Sequence, residues 1–363
     1  MELKNKKIIL ISLLVITVLA AAISAGCISS GDNPEAGGEE QTITITDMAG
    51  RDIEVPSEIN SILCTSPPSA MLVYMIAPDK LAGWNSAPGE INRPYIPEKY
   101  LNLPVCGGWF GKQTGNYETF IEMDPDIVIE GFNTQGDFKT TIIERQDKMG
   151  DIPVVGLEDT VNAAGYTAPI RFTGELLGEE ERAEALITFY EDILGKVDAR
   201  VSGLGDSEKP TVYYAEGPEG LWTDPEGSQH SQLIELCGGT NIADCPLTPG
   251  YGRTTVSMEQ IISWDPEIIL AGDPAFYESV HTDPNWKDIK AVKEGKVYLV
   301  PTTAFCWFDR PPGINRIIGI AWTAKVLHPE LFEDFDMREM AQYYHENFIH
   351  QALTEEQMDE LGL

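Results

Sequence analysis

Five large aromatic residues, Trp84, Trp109, Trp222, Trp307 and Phe308, fall in segments that read as loops between apolar runs. A ring outside regular structure offers a flat apolar face, and five together suit a broad, flat or greasy small molecule. For any one ring, packing beside the core is an equal reading. Lys112, Arg253 and Arg310 stand in the same segments and suit anionic groups, the arginines through a bidentate fork. The competing reading is a local salt bridge, most pressing for Arg310 next to Asp309. Ser66 adds a hydroxyl, and His230 opens a short apolar run where it could cap a helix or ligate. Cys64, Cys106 and Cys306 could offer soft-metal thiols, although a free cysteine more often packs as a small hydrophobe. A bare zinc or manganese site would want several His and carboxylates together. No such set assembles from five His, so no metal ligands are assigned.

These residues point to binding without chemistry. Gly107-Gly-Trp-Phe-Gly-Lys-Gln-Thr invites a phosphate-loop reading, but its first Gly is at the wrong spacing and Gln113 takes the Ser/Thr position. No Gly-x-Gly-x-x-Gly follows a strand, and no Gly-x-Ser-x-Gly elbow is present. No catalytic residue and no cofactor are assigned.

The elements that must position these side chains announce themselves by duplication. Glu118-Thr-Phe-Ile-Glu-Met-Asp124-Pro125-Asp-Ile-Val-Ile-Glu-Gly131 returns as Glu259-Gln-Ile-Ile-Ser-Trp-Asp265-Pro266-Glu-Ile-Ile-Leu-Ala-Gly272, offset by 141 residues. Each copy reads as a short helix, an Asp-Pro break and a buried β-branched strand. Ile152–Gly156 and Val297–Pro301 supply a further strand in each half. Helix–strand alternation in two copies predicts two α/β lobes built alike. Between them Thr173–Val201 carries Leu176, Leu177, Ala183, Leu186, Ile187, Tyr190, Ile193, Leu194 and Val197 at helical spacing, predicting a rigid connecting helix.

Acidic residues number 58 against 25 basic, a formal charge of −33, which disfavours contact with nucleic acid or anionic lipid headgroups. The chain opens with Lys4, Lys6 and Lys7, an apolar run over Ile8–Ile23, and then Ser24-Ala-Gly-Cys27. That run is short for a spanning helix and suits a signal peptide. Residues 28–41 are rich in Gly, Ser and Glu and read as a tether. Cys237 and Cys245 could pair across a Gly-Gly-Thr turn or remain two thiols.

The ordered set of motifs resembles the periplasmic-binding-protein-like receptors of ABC importers for chelated iron, haem and cobalamin. The residues carrying the resemblance are Thr44–Pro56, Ile59–Cys64 with Pro67-Pro-Ser-Ala, Leu81-Ala-Gly-Trp84, Asn116-Tyr-Glu118 with its Asp-Pro strand, and Leu233–Asn241. The resemblance implies two Rossmann-like lobes with central parallel sheets, one long bridging α-helix and a ligand cleft between the lobes. Residues 1–26 would then be a signal peptide, 27–41 a tether, 42–170 the N-lobe, 171–203 the interlobe helix and 204–363 the C-lobe with an acidic helical tail. Cys27 matches a lipidated cysteine, which would hold the exported protein on the outer face of the cytoplasmic membrane by lipid alone. Glu118 and Glu259 match the carboxylates that dock on a permease dimer, itself served by an ATPase. The expected ligand is a chelated metal of ferric-siderophore, haem or corrinoid type, bound among Ser66, Trp84, Trp109, Lys112, Trp222, His230, Arg253, Trp307, Phe308 and Arg310. A molybdate or tungstate oxyanion on the same fold is the alternative, and an exported metal-dependent hydrolase is a more distant one.

Overall fold

The computed structural model describes residues 41–133, 137–248 and 252–363. The leader expected over 1–26, the lipidation expected at Cys27 and nearly all of the 27–41 tether therefore lie outside the described residues. Strands β1 (Thr42–Thr46) and β2 (Asp52–Pro56) form an antiparallel hairpin ahead of the first lobe. In the N-lobe β3 (Ile62–Cys64), β4 (Ile127–Phe132) and β5 (Val154–Glu158) make a parallel sheet in that order. Their uninterrupted apolar runs fit strands covered on both faces, and Ile62–Cys64 and Ile127–Ile129 are wholly buried.

The C-lobe repeats the plan. Strand β6 (Thr211–Ala215) is followed by β7 (Trp222–Thr223), β8 (Thr240–Asn241), β9 (Thr254–Thr255), β10 (Ile268–Ala271) and β11 (Val297–Leu299). The parallel order β8-β6-β10-β11 places β6, β10 and β11 as counterparts of β3, β4 and β5. β7 and β9 form a separate antiparallel pair. The duplication extends to backbone conformation: Asp124 and Asp265, which end the two repeat helices, have φ of 47° and 45°. Asp is among the few residues that tolerate this left-handed region.

The connecting segment is two helices rather than one running over 171–203. Thr167–Leu177 ends at Gly178, whose φ of 67° suits a glycine, and Glu180–Val201 then runs for 22 residues. At 1.5 Å per residue the second helix is about 33 Å long. The two pack closely, because a Cβ on Gly174 would come within 2.4 Å of the Ala183 Cβ. The longer helix also packs on Arg316–Leu327.

The acidic tail crosses back to the N-lobe. Tyr74 donates its hydroxyl to the Ile349 carbonyl at 2.7 Å, His350 Nε2 donates to the Tyr74 carbonyl at 2.9 Å, and Gln351 donates to the Pro94 carbonyl at 2.7 Å. Among the described residues no helix is long and apolar enough to cross a membrane.

Candidate functional site

A cleft of about 490 Å³ opens where the two lobes face each other. Its N-lobe wall comes from the ends of β4 and β5: Phe132, Asn133, Glu158 and Asp159, followed by Val161 and Asn162. Its C-lobe wall comes from Gly227–His230 and Gln232, with Leu247 and Thr248 at the rim. Ligands of open α/β sheets bind beyond the carboxyl ends of strands, which is where β4 and β5 deliver this wall. The lining is mostly amide, hydroxyl and carboxylate, and no Lys or Arg contributes to it among the described residues.

Behind the C-lobe wall lies a buried charge cluster. Glu216, at the end of β6, receives a bidentate contact from Arg310, at 2.7 Å from Nε and 2.9 Å from Nη2. Arg310 Nη2 also donates to Asp224 at 2.6 Å, and Nε lies 3.1 Å from Asp309. His230 Nδ1 donates to Asp309 at 2.8 Å, so the imidazole at the cleft wall is oriented from behind. Arg253 reaches Glu216 at 3.3 Å and lies 5.5 Å from the Trp222 ring. Burial pushes the Glu216 carboxyl up, while Arg310 pulls it back down.

Below the cleft a second buried guanidinium crosses the lobe boundary. Arg316 donates to the Tyr166 hydroxyl at 2.9 Å and to the Gln229 carbonyl at 3.0 Å, and also to the Val161 carbonyl. Burial lifts the neighbouring Asp159 carboxyl to about 7, against the pull of Arg316, and burial likewise lifts Glu235 to about 7. A carboxyl raised in the folded state stabilises fully below its unfolded value of about 4 and loses that contribution as pH rises through 7. We therefore expect Asp159→Asn with Glu235→Gln to gain stability over the parent between pH 4 and 8. The gain should be on the order of 1–2 kcal/mol per group after allowing for solvent screening. Urea midpoints of both proteins across that range measure it, and parallel curves would refute the assignment.

The structure redistributes the residues expected from sequence. His230 lines the cleft. Trp84 and Arg310 border a separate interlobe hollow of about 290 Å³, between Trp84–Ile96 and Thr302–Pro311. Trp84 is otherwise buried, donating its indole N–H to the Tyr100 carbonyl at 2.7 Å. Trp307 and Phe308 are core residues, not cleft residues: Trp307 is 1% exposed, and Phe308 packs on Tyr214 with ring centroids 4.6 Å apart. Trp109 lies under the Arg145 guanidinium, 3.8 Å from its ring centroid, and packs on Tyr117. Trp222 is 38% exposed against Arg253, Lys112 is exposed on the surface, and Ser66 occupies the N-cap position of helix Pro67–Ile76. Neither Trp109 nor Trp307 is among the described residues lining the cleft, which is mainly polar.

The cations expected to meet an anionic ligand are committed elsewhere, Arg253 and Arg310 to buried carboxylates. The thiols also part company. Cys64 and Cys106 are buried in the N-lobe, where burial pushes Cys106 up to about 11, and Cys306 borders the smaller hollow. Cys237 and Cys245 are free thiols, and Cys237 Sγ donates to the Ile320 carbonyl at 3.4 Å instead of forming a disulfide. Glu118 and Glu259 are exposed, each the second residue of its repeat helix. Sequence reasoning did not single out Asp159 or Arg316. The position of Asp159 just past the end of β5 was the available signal for the acid, while Arg316 sits in a helix whose apolar run conceals it.

Two similar α/β lobes, a helical connection and a polar interlobe cleft define a two-lobe solute receptor of the periplasmic binding protein type. Residues 62–304 match the family profile described as periplasmic binding protein, and the chain belongs to that family. It is an extracytoplasmic solute-binding protein of an ABC transporter, not an enzyme. It is similar to a solved ABC transporter solute binding protein from Sulfurospirillum deleyianum, with 30% identity and a TM-score of 0.81, covering 88% of this chain and 98% of that one. It is 23% identical over 333 residues to the molybdate-binding protein MolA of Haemophilus influenzae, covering 84% of this chain and 90% of that protein. It is 28% identical over 220 residues to the vitamin B12-binding protein of Pectobacterium carotovorum, covering 59% and 71% respectively.

Proposed function

We propose that the captured solute is a chelated metal, a neutral or cationic complex of polar siderophore or corrinoid type, delivered to the permease of an ABC importer. The observation that carries this reading is the cleft lining. A volume of about 490 Å³ falls in the range that holds small organic ligands. Glu158 and Asp159 face it with no Lys or Arg among the described lining residues. Glu158, together with the ionised fraction of Asp159, disfavours a free oxyanion, and the wall favours a ligand that accepts hydrogen bonds from Asn162 and Gln232 and donates to the carboxylates. Phe132 and the His230 imidazole are the only aromatic rings among the described lining residues, which disfavours a bare porphyrin face.

In this reading Cys27 carries the lipid that tethers the receptor to the membrane. Glu118 and Glu259 meet basic residues on the two subunits of a permease dimer, which an ATPase drives. Their equivalent positions and the charge of −33 support electrostatic steering onto a cationic face.

Native mass spectrometry and absorbance of the exported protein, isolated from its own host, test the ligand. A bound mass with a ferric or corrinoid chromophore is the expected result. Retained molybdate or tungstate without a chelate would overturn the proposal.

A further inference from the structure

The two repeat helices share more than their glutamates. Ile121 in Tyr117–Glu122 and Ile262 in Met258–Trp264 stand at the same 141-residue offset. They are 44% and 55% exposed. Each lies three residues after its glutamate, so acid and aliphatic side chain share one helix face a turn apart. Isoleucine is among the residues most often fully buried, and a single exposed one needs no explanation. Here the exposure is duplicated. The repeat has otherwise diverged at many positions: the exposed Glu122 stands against Ser263, Thr119 against Gln260, and the half-buried Met123 against Trp264. The core requires neither isoleucine to face water, since the buried residues of these helices are Phe120 and Ile261.

We propose that Glu118 with Ile121, and Glu259 with Ile262, form two equivalent two-point docking surfaces for the permease dimer. Each would meet a basic residue beside an apolar socket, presented twice by the symmetry of the dimer. Charge complementarity sets the approach, and the aliphatic contact slows release once water is excluded. A partner built from two like subunits is what a duplicated surface on a single chain fits. This inference rests on the docking role proposed for Glu118 and Glu259, and it adds an apolar element to it.

The test measures binding of the full-length receptor to its permease–ATPase complex in nanodiscs, by biolayer interferometry at two salt concentrations. Ile121→Ser and Ile262→Ser are each expected to weaken binding about tenfold, mainly through faster dissociation, and the double variant more. Their thermal midpoints should match the parent, because both sites are on the surface. Ile43→Ser, at an exposed residue of the unduplicated hairpin, is the control and should bind as the parent does. Glu118→Gln with Glu259→Gln should slow association and reduce its salt dependence. If the glutamine pair weakens docking while both serine variants bind normally, the apolar contact is refuted and the docking reading stands. If neither set changes binding, both fail together.

Discussion

Arg310→Ala is expected to lose about 3–5 kcal/mol of stability and to acquire a divalent-cation dependence that the parent protein does not have. Glu216, Asp224 and Asp309 are buried, with carboxylate oxygens within 4.8 Å of one another, and Arg310 contacts all three. Removing the guanidinium leaves three acids sharing one low-dielectric site. Arg253 also touches the cluster through Glu216, and His230 through Asp309. The group must then take up protons or find another cation. Clustered carboxylate oxygens are the ligands that calcium prefers. Thermal unfolding of Arg310→Ala should therefore show a lowered midpoint that partly recovers in millimolar calcium, while the parent is insensitive. Arg310→Lys should fall between them, since an ammonium keeps the charge but cannot span Glu216 in bidentate fashion. An unchanged midpoint in Arg310→Ala would show that the cluster does not depend on this residue.

Arg316→Leu is expected to cost about 3–5 kcal/mol as well and to alter how the lobes sit across the cleft. The guanidinium is fully buried and joins Val161 and Tyr166 of the N-lobe to Gln229 of the C-lobe. Leucine fills much of the volume but orphans those acceptors and removes the charge that opposes the rise of Asp159. Denaturant titration measures the stability loss, and small-angle scattering reads the lobe separation, which should increase. Arg316→Lys supplies a milder variant if the leucine form does not accumulate. Unchanged stability and scattering in both would remove Arg316 from this role.

The fold was largely legible because its signals are local. β-branched runs mark β4 and β10, Asp-Pro breaks mark the turns before them, and the 141-residue repeat exposes the two-lobe plan. The exception is the connecting helix. Gly178 interrupts an apolar period that otherwise runs on, and a lone glycine within a helical pattern can be either a cap or a tolerated interior residue. The candidate site was legible only in part. His230 lies in the cleft wall while Trp307 and Phe308 lie in the core, and residue type alone does not reveal whether a loop aromatic turns inward. Close packing against Tyr214 and the helix Arg316–Leu327 draws them into the core: a Cβ on Gly319 would collide with the Trp307 carbonyl.

By itself the sequence determined the class of protein: a duplicated α/β chain with an exportable, acidic character, no catalytic motif and a glutamate at equivalent points of each half. Tertiary structure alone decided what the cleft presents to a solute. The pairs responsible are distant in the chain, His230 with Asp309 across 79 residues and Arg316 with Val161 across 155. Local patterning specifies helices and strands over a few turns. Whether a cation meets a ligand or a buried carboxylate depends on which remote segment the fold brings beside it. Here the fold gave the arginines to internal acids and left the cleft to amides, hydroxyls and carboxylates.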